Sequence, residues 1–128
     1  MTKSTHALII DDDVLNLEVI GRLLDLEGIT WTKAQDAQQI KSAVAASSQP
    51  DLVFLDLEMP QMDGYEAFHL LQNALGSDVP IVACTVHTSE INVVREVGFH
   101  SFLAKPLDQR LFPQQVKQIL QGESVWEY

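Results

Sequence analysis

Five residues in this chain are placed to do chemistry together. Asp11 and Asp12 close the apolar run Ala7 to Ile10, Asp56 closes Leu52 to Leu55, Thr85 closes Ile81 to Cys84, and Lys105 closes Phe102 to Ala104. If these runs are parallel strands of one sheet, their carboxyl ends lie along one edge, where open α/β folds bind and react with ligands. Three carboxylates, a hydroxyl and an ammonium then converge. Adjacent carboxylates with a third opposite suit Mg²⁺, which takes a few oxygen ligands, keeps waters and completes its shell with a phosphate oxygen. Asp56 could attack a phosphoryl group as a carboxylate nucleophile and form an acyl phosphate. The cation and Lys105 would neutralise charge, and Thr85 could donate a hydrogen bond to a phosphoryl oxygen.

Each of these residues also has a plainer use. Asp11 to Asp13, taken alone, would do no more than cap a helix. A lysine at a strand end is commonly a solvated side chain, although Pro106 biases the Lys105 backbone towards an extended form. Thr85 would ordinarily satisfy a loop backbone group. The joint placement carries the functional reading. A calcium loop starting at Asp11 is excluded, because the third coordinating position is Leu15 and the required glycine is missing.

The elements that must position these residues alternate along the chain. Apolar runs of four or five residues are separated by longer helical stretches and turn residues, which predicts five βα units around a parallel sheet. Helix one is expected over Val14 to Glu27, with Asp13 as N-cap, Gly28 as stop, and Leu15, Val19, Leu23 and Leu26 on its inner face. Strand two spans Ile29 to Ala34. Asp36 and Gln39 form a capping-box-like start for a helix carrying Ala37, Ile40 and Val44, which ends at Ser47-Ser48-Gln49-Pro50. Strand three, Leu52 to Leu55, is apolar throughout, as a central strand covered on both faces should be.

The segment from Leu57 to Asp63 reads as an ordered loop, with Asp63-Gly64 as the turn before helix three near Tyr65 to Leu75. Strand four follows Pro80. Helix four is capped by Thr88 or Ser89, packs through Ile91, Val94 and Val97, and stops at Gly98. Strand five is Ser101 to Ala104. The last helix begins close to Pro113 and carries Val116, Ile119 and Leu120 inwards.

Composition bounds the function. A chain of 128 residues, 46% hydrophobic and 20% charged, holds one domain with a substantial core. A net charge of -10 argues against a general nucleic-acid or anionic-membrane binder. No basic segment leads into a long apolar one, so the expected location is cytoplasmic. The single Cys84, inside an apolar strand, is expected to be a buried structural thiol. His6, His69 and His100 show no metal-ligand spacing, and Met59 and Met62 are expected to pack within the loop.

Four motifs together resemble a known family: Leu8-Ile9-Ile10-Asp11-Asp12-Asp13, the long run from Pro50 to Glu66 around Asp56, Pro80 to Thr85, and Phe102-Leu103-Ala104-Lys105-Pro106. Over nearly its whole length the chain resembles the receiver domain of two-component response regulators, of the stand-alone, chemotaxis-regulator-like type. The resemblance implies an α/β fold: a flavodoxin-like, doubly wound (βα)5 domain over residues 1–121, with a five-stranded parallel sheet in order 2-1-3-4-5 and a tail at 122–128. It implies that Asp56 accepts a phosphoryl group from a histidine kinase or histidine phosphotransfer protein. Asp11, Asp12, Asp56 and the Glu58 backbone carbonyl would organise Mg²⁺, and Lys105 would contact the phosphoryl group. It further implies that Thr85 moves towards the phosphate and the ring of Phe102 follows it inward, switching the face made by helix four, strand five and helix five.

Some positions depart from the commoner family pattern. Val86 stands where the family usually has alanine, glycine or serine, which bears on access to the site and on turnover. Phe102 stands where tyrosine is frequent and so lacks a hydroxyl. Glu58 and His87, each two positions beyond a site residue, either hydrogen-bond across the mouth of the site and influence the attacking water or stand as two exposed polar loop residues.

The leading expectation is therefore a complete, stand-alone phospho-accepting switch that works by contact with a downstream protein target. It would be no enzyme beyond self-catalysed phosphoryl acceptance and autodephosphorylation, and a monomer or weak phosphorylation-linked homodimer. A phosphorylation-independent receiver-fold adaptor is the alternative, and an aspartate-nucleophile phosphatase ranks third because Glu58 stands where a second aspartate is wanted. Trp126 and Tyr128 are expected to fold back onto the domain, or else to contact a partner or second copy.

Overall fold

The protein was analysed as a computed structural model in which residues 4–46 and 49–127 are described. Element order is β1 (His6–Ile10), α1 (Val14–Leu26), β2 (Thr30–Ala34), α2 (Ala37–Ala46), β3 (Leu52–Asp56), β4 (Glu58–Met59), β5 (Met62–Asp63), α3 (Gly64–Leu75), β6 (Ile81–Thr85), α4 (Ile91–Val97), β7 (Ser101–Ala104) and α5 (Phe112–Leu120). The five-stranded sheet runs β2-β1-β3-β6-β7 with all pairings parallel. Counting the strands of that sheet alone, this is the expected 2-1-3-4-5 flavodoxin-like order. The central strand β3 is buried at every position, as its uninterrupted apolar run requires. Helices cover both faces, giving one core cluster around Val53, Leu55 and Phe68 and a second around Ile9, Phe54 and Phe112. Among the described residues no helix is long and apolar enough to cross a membrane.

The structure corrects the expected inner face of α1. Leu17, Ile20, Gly21 and Leu24 are buried, while Leu15, Val19 and Leu26 are exposed by 70%, 52% and 78%. The helix carries apolar residues on two opposite sides, so periodicity alone left its rotation open. Gly21 decides it: a Cβ there would lie 2.3 Å from the Trp31 ring of β2, so the glycine side must face the sheet. Asp13 does cap α1, accepting from the Leu15 N–H at 2.9 Å, and Gly28 turns the chain at φ 71°.

Smaller differences have equally local causes. Asp36 accepts the Gln39 N–H at 2.8 Å, but the Gln39 side chain reaches back to the Gln35 N–H rather than to Asp36. The expected end of α2 at Ser47 and Ser48 lies outside the described residues. The loop after Asp56 contains a small antiparallel hairpin, β4 with β5, before Asp63 caps α3 at the Tyr65 N–H. Neither Thr88 nor Ser89 caps α4; Thr88–Glu90 instead forms a 3₁₀ turn leading into it, and no side chain caps either element. Val94 is buried and Gly98 ends α4 in the left-handed region at φ 112°, both as expected. In α5 the buried residues are Phe112, Gln115, Val116 and Ile119, whereas Leu120 is 39% exposed.

Candidate functional site

The sheet order brings the carboxyl ends of β1, β3, β6 and β7 side by side. Register pairs Ile10 with Leu55 and Asp56 with Cys84, and Thr85 with Ala104, so Asp56 and Thr85, which end β3 and β6, and Asp11 and Lys105, which follow β1 and β7, reach the same edge. A cavity of about 230 Å³ opens there, lined by Asp11, Asp12, Asp56, Thr85 and Lys105 together with Asp13, Asn16, Glu58 and Val86. All five residues singled out by type and spacing thus meet in one cleft.

The carboxylates have distinct supports. Asp11 is 1% exposed; its Oδ1 accepts the Asp13 N–H at 2.9 Å and its Oδ2 accepts from Lys105 Nζ at 2.8 Å. Helix capping falls to Asp13, which leaves Asp11 and the exposed Asp12 free of that duty. Asp56 is 7% exposed, accepts the Glu58 N–H at 3.2 Å, and lies 3.5 Å from Lys105 Nζ. Burial above all pushes the Asp56 carboxyl up to about 6; Lys105 works against the shift and the Asp11 charge adds to it. Burial disfavours the Lys105 ammonium, but its hydrogen bond to Asp11 and the charges of Asp11 and Asp56 outweigh this and hold it above its ordinary value.

Lys105 is fixed from both ends. Its backbone N–H donates to the Thr85 carbonyl at 2.9 Å, which ties β7 to the end of β6, and the Lys105–Pro106 peptide is cis. Thr85 is 1% exposed, and its Oγ1 accepts the His87 N–H at 3.1 Å. The hydroxyl therefore serves the loop backbone while lining the cleft. Phe102 is fully buried, with its ring side in the cluster containing Ala83, Val94 and Phe99. Val86 is 60% exposed on the rim. Glu58 and His87 do meet across the mouth, His87 Nε2 lying 2.9 Å from Glu58 Oε1.

The donor set fits a hard cation. Asp11, Asp12 and Asp56 each offer a carboxylate oxygen, all within 4.8 Å of one another, and oxygen-only donors with high negative charge suit Mg²⁺. Cys84 lies beneath the site, and burial pushes its thiol up to about 12, which makes it an inert core residue. Reading the sequence missed Asn16. It is the polar residue three positions after the Asp13 cap, the spacing that returns a side chain to the same end of the helix, and this was the available signal.

The model of the response regulator receiver domain family matches residues 7–117. The osmosensing histidine protein kinase SLN1 of Saccharomyces cerevisiae is 33% identical over 111 residues, covering 81% of this chain and 9% of that protein. The phosphate regulon transcriptional regulatory protein PhoB of Pseudomonas aeruginosa is 33% identical over 116 residues, covering 88% of this chain and 50% of that protein. A solved two-component response regulator from Clostridium difficile superimposes with a TM-score of 0.82 at 27% identity, covering 92% of this chain and 97% of the other. A response regulator receiver protein from Burkholderia phymatum gives a TM-score of 0.78 at 25% identity, covering 92% and 96%. The chain belongs to the response regulator receiver domain family. It spans half or less of the length of the two curated relatives above.

Proposed function

We propose that this receiver domain is a phospho-accepting switch of a two-component phosphorelay in the cytoplasm, with Asp56 as acceptor and a histidine kinase or histidine phosphotransfer protein as donor. The observation that carries this reading is the cleft in which Asp56 sits 3.5 Å from Lys105 Nζ with Asp11, Asp12 and Thr85 around it. A carboxylate oxygen of Asp56 attacks phosphorus, the bond to the donor imidazole nitrogen breaks with its electron pair returning to the ring, and an acyl phosphate remains. Lys105 is placed to hold the negative charge that arrives on the phosphoryl oxygens, and Thr85 to donate to one of them.

Asp11, Asp12, Asp56 and the Glu58 carbonyl would hold Mg²⁺, which when bound supplies charge neutralisation for the transfer. The exposed apolar side of α1 supports a protein donor: Leu15 and Val19 are exposed on the same helix that brings Asn16 to the cleft and offer contact surface. Loss of the phosphoryl group is self-catalysed hydrolysis, so the domain acts as a signal carrier and turns over no external substrate. Activation would act through Thr85 and Phe102 on the face of α4, β7 and α5 that meets the downstream protein.

Incubation with acetyl phosphate and Mg²⁺ tests this reading. One phosphoryl group should appear on Asp56, none in an Asp56→Asn variant, and little when the metal is chelated. Equal labelling of the variant would refute the assignment.

A further inference from the structure

Residues 125–127 lie along the open edge of β7, the outermost strand of the sheet. The Phe102 N–H donates to the Val125 carbonyl at 2.8 Å, and the Glu127 N–H donates to the Phe102 carbonyl at 2.9 Å, the pattern of a parallel bridge in which Phe102 faces Trp126. The buried Ser101 hydroxyl accepts the Val125 N–H at 2.9 Å. Side chains alternate as a strand demands. Val125 packs on the cluster beneath α5, Trp126 on the opposite cluster under the Arg95 guanidinium of α4 at 4.6 Å, and Glu127 Oε2 accepts from Gln115 Nε2 of α5 at 2.6 Å. The edge therefore offers a bonding backbone, an apolar seat, a cation over an aromatic seat, and an amide donor for an acid.

We infer that the β7 edge between α4 and α5 is a strand-acceptor site for an extended partner segment of the pattern apolar, aromatic, acidic, and that this chain fills it with its own Val125, Trp126 and Glu127. The inference deepens, and in that respect rests on, the reading of the α4, β7 and α5 face as the one that meets the downstream protein; it does not require phosphoryl transfer at Asp56, because the acceptor exists in the fold as it stands. An extended peptide adding to a sheet edge gains affinity from the backbone and specificity from alternate side-chain seats. The internal segment makes a single bridge and is joined to α5 through the turn at Gly122, φ 92°, and the exposed Glu123 and Ser124. A partner strand pairing along the whole of Ser101–Ala104 has more bonds to make. The tether nevertheless gives the internal segment a local concentration of order millimolar, so a short peptide of equal pattern is excluded while it is docked.

The test is fluorescence anisotropy with a labelled peptide of residues 122–127, added to the unphosphorylated full chain. The expected result is binding to a Trp126→Ala variant at least about tenfold tighter than to the wild type, the ratio set by release of the tethered competitor. Adding Arg95→Ala to that variant should weaken the peptide again, and a peptide with alanine for tryptophan should not bind. Should Trp126→Ala fail to fold, Glu127→Pro, which removes one bridge hydrogen bond and the Gln115 contact while leaving the buried ring, carries the same comparison. Equal affinity for wild type and variant, or no binding to a variant that unfolds at the wild-type temperature, overturns the inference. Dimers of the wild type that the peptide dissociates would assign the edge to a second copy and overturn the reading of a different partner. Labelling at Asp56 reports separately on the phosphorelay, so failure of one reading is distinguishable from failure of the other.

Discussion

His87 Nε2 and Glu58 Oε1 lie 2.9 Å apart, joining the loop after β3 to the loop after β6 over the mouth of the cleft, with both side chains 51% exposed. Such an exposed pair contributes at most about 1 kcal/mol to stability, so its value lies in what it covers. Glu58→Ala and His87→Ala should each speed loss of the phosphoryl group from Asp56 a few-fold by admitting water, and the double variant should be no faster than the faster single one. Decay of labelled Asp56 after removal of the donor measures this. Unchanged rates in both single variants would leave the pair as two exposed polar residues with no part in turnover.

Burial raises the Asp56 carboxyl to about 6, well above the 3.8 of a free aspartate, which has a consequence for stability. Between these values the folded protein holds a proton that the unfolded chain has released. Stability from this group is therefore fully present below about pH 4 and is lost as pH rises through 6. Asp56→Asn, which cannot ionise, should be more stable than wild type in metal-free buffer at pH 7.5, by about 1–3 kcal/mol, and the difference should close as pH falls towards 4. Urea unfolding at several pH values checks this. A difference independent of pH would show that the Asp56 charge is not its source.

Most of the fold was legible because the sequence signals were local and unambiguous. The apolar runs before Asp56 and Thr85 admit one reading, and the turn residues Gly28, Gly64 and Gly98 bound the helices where they stand. The five site residues were legible for the same reason, since a strand end is a defined place in a parallel sheet. What failed depended on partners distant in sequence. The rotation of α1 is set by Trp31 against Gly21, and in α5 it is Phe112, Gln115, Val116 and Ile119 that take the buried face, with Leu120 outside it. The docking of Trp126 needs Arg95 and Phe102, neither of which its own neighbours in the chain indicate. Tyr128, expected to fold back with it, lies outside the described residues.

Mg²⁺ and a proton compete for the same carboxylate oxygens in the proposed centre. With Asp56 titrating near 6, Mg²⁺ affinity should hold steady from pH 8 to 7 and then fall as pH drops below 6, by up to about tenfold per unit, with proton release on binding. Isothermal titration in buffers of different ionisation enthalpy reads both quantities. Asp12→Ala should weaken binding across the whole range, whereas Lys105→Ala, which removes the competing ammonium from Asp11, should not weaken it. Metal affinity flat from pH 7 to 5 would exclude Asp56 as a ligand.

Gly64 and Gly28 are both glycines at helix boundaries, yet they should respond differently to alanine. A Cβ at Gly64 would lie 2.6 Å from Leu57 Cα and 2.9 Å from its carbonyl oxygen, backbone atoms with no rotamer to yield. Leu57 follows Asp56 directly, so relief of the clash displaces the acceptor. Gly64→Ala should cost about 1–3 kcal/mol and also slow acetyl phosphate labelling of Asp56. At Gly28 nothing among the described residues lies within 4 Å of a Cβ, and the cost arises from φ 71° alone, about 1 kcal/mol. Gly28→Ala should therefore lower the melting temperature slightly while labelling proceeds at the wild-type rate. Equal labelling by both variants would show that the Leu57 backbone accommodates the methyl group without moving Asp56, and that the close approach serves packing alone.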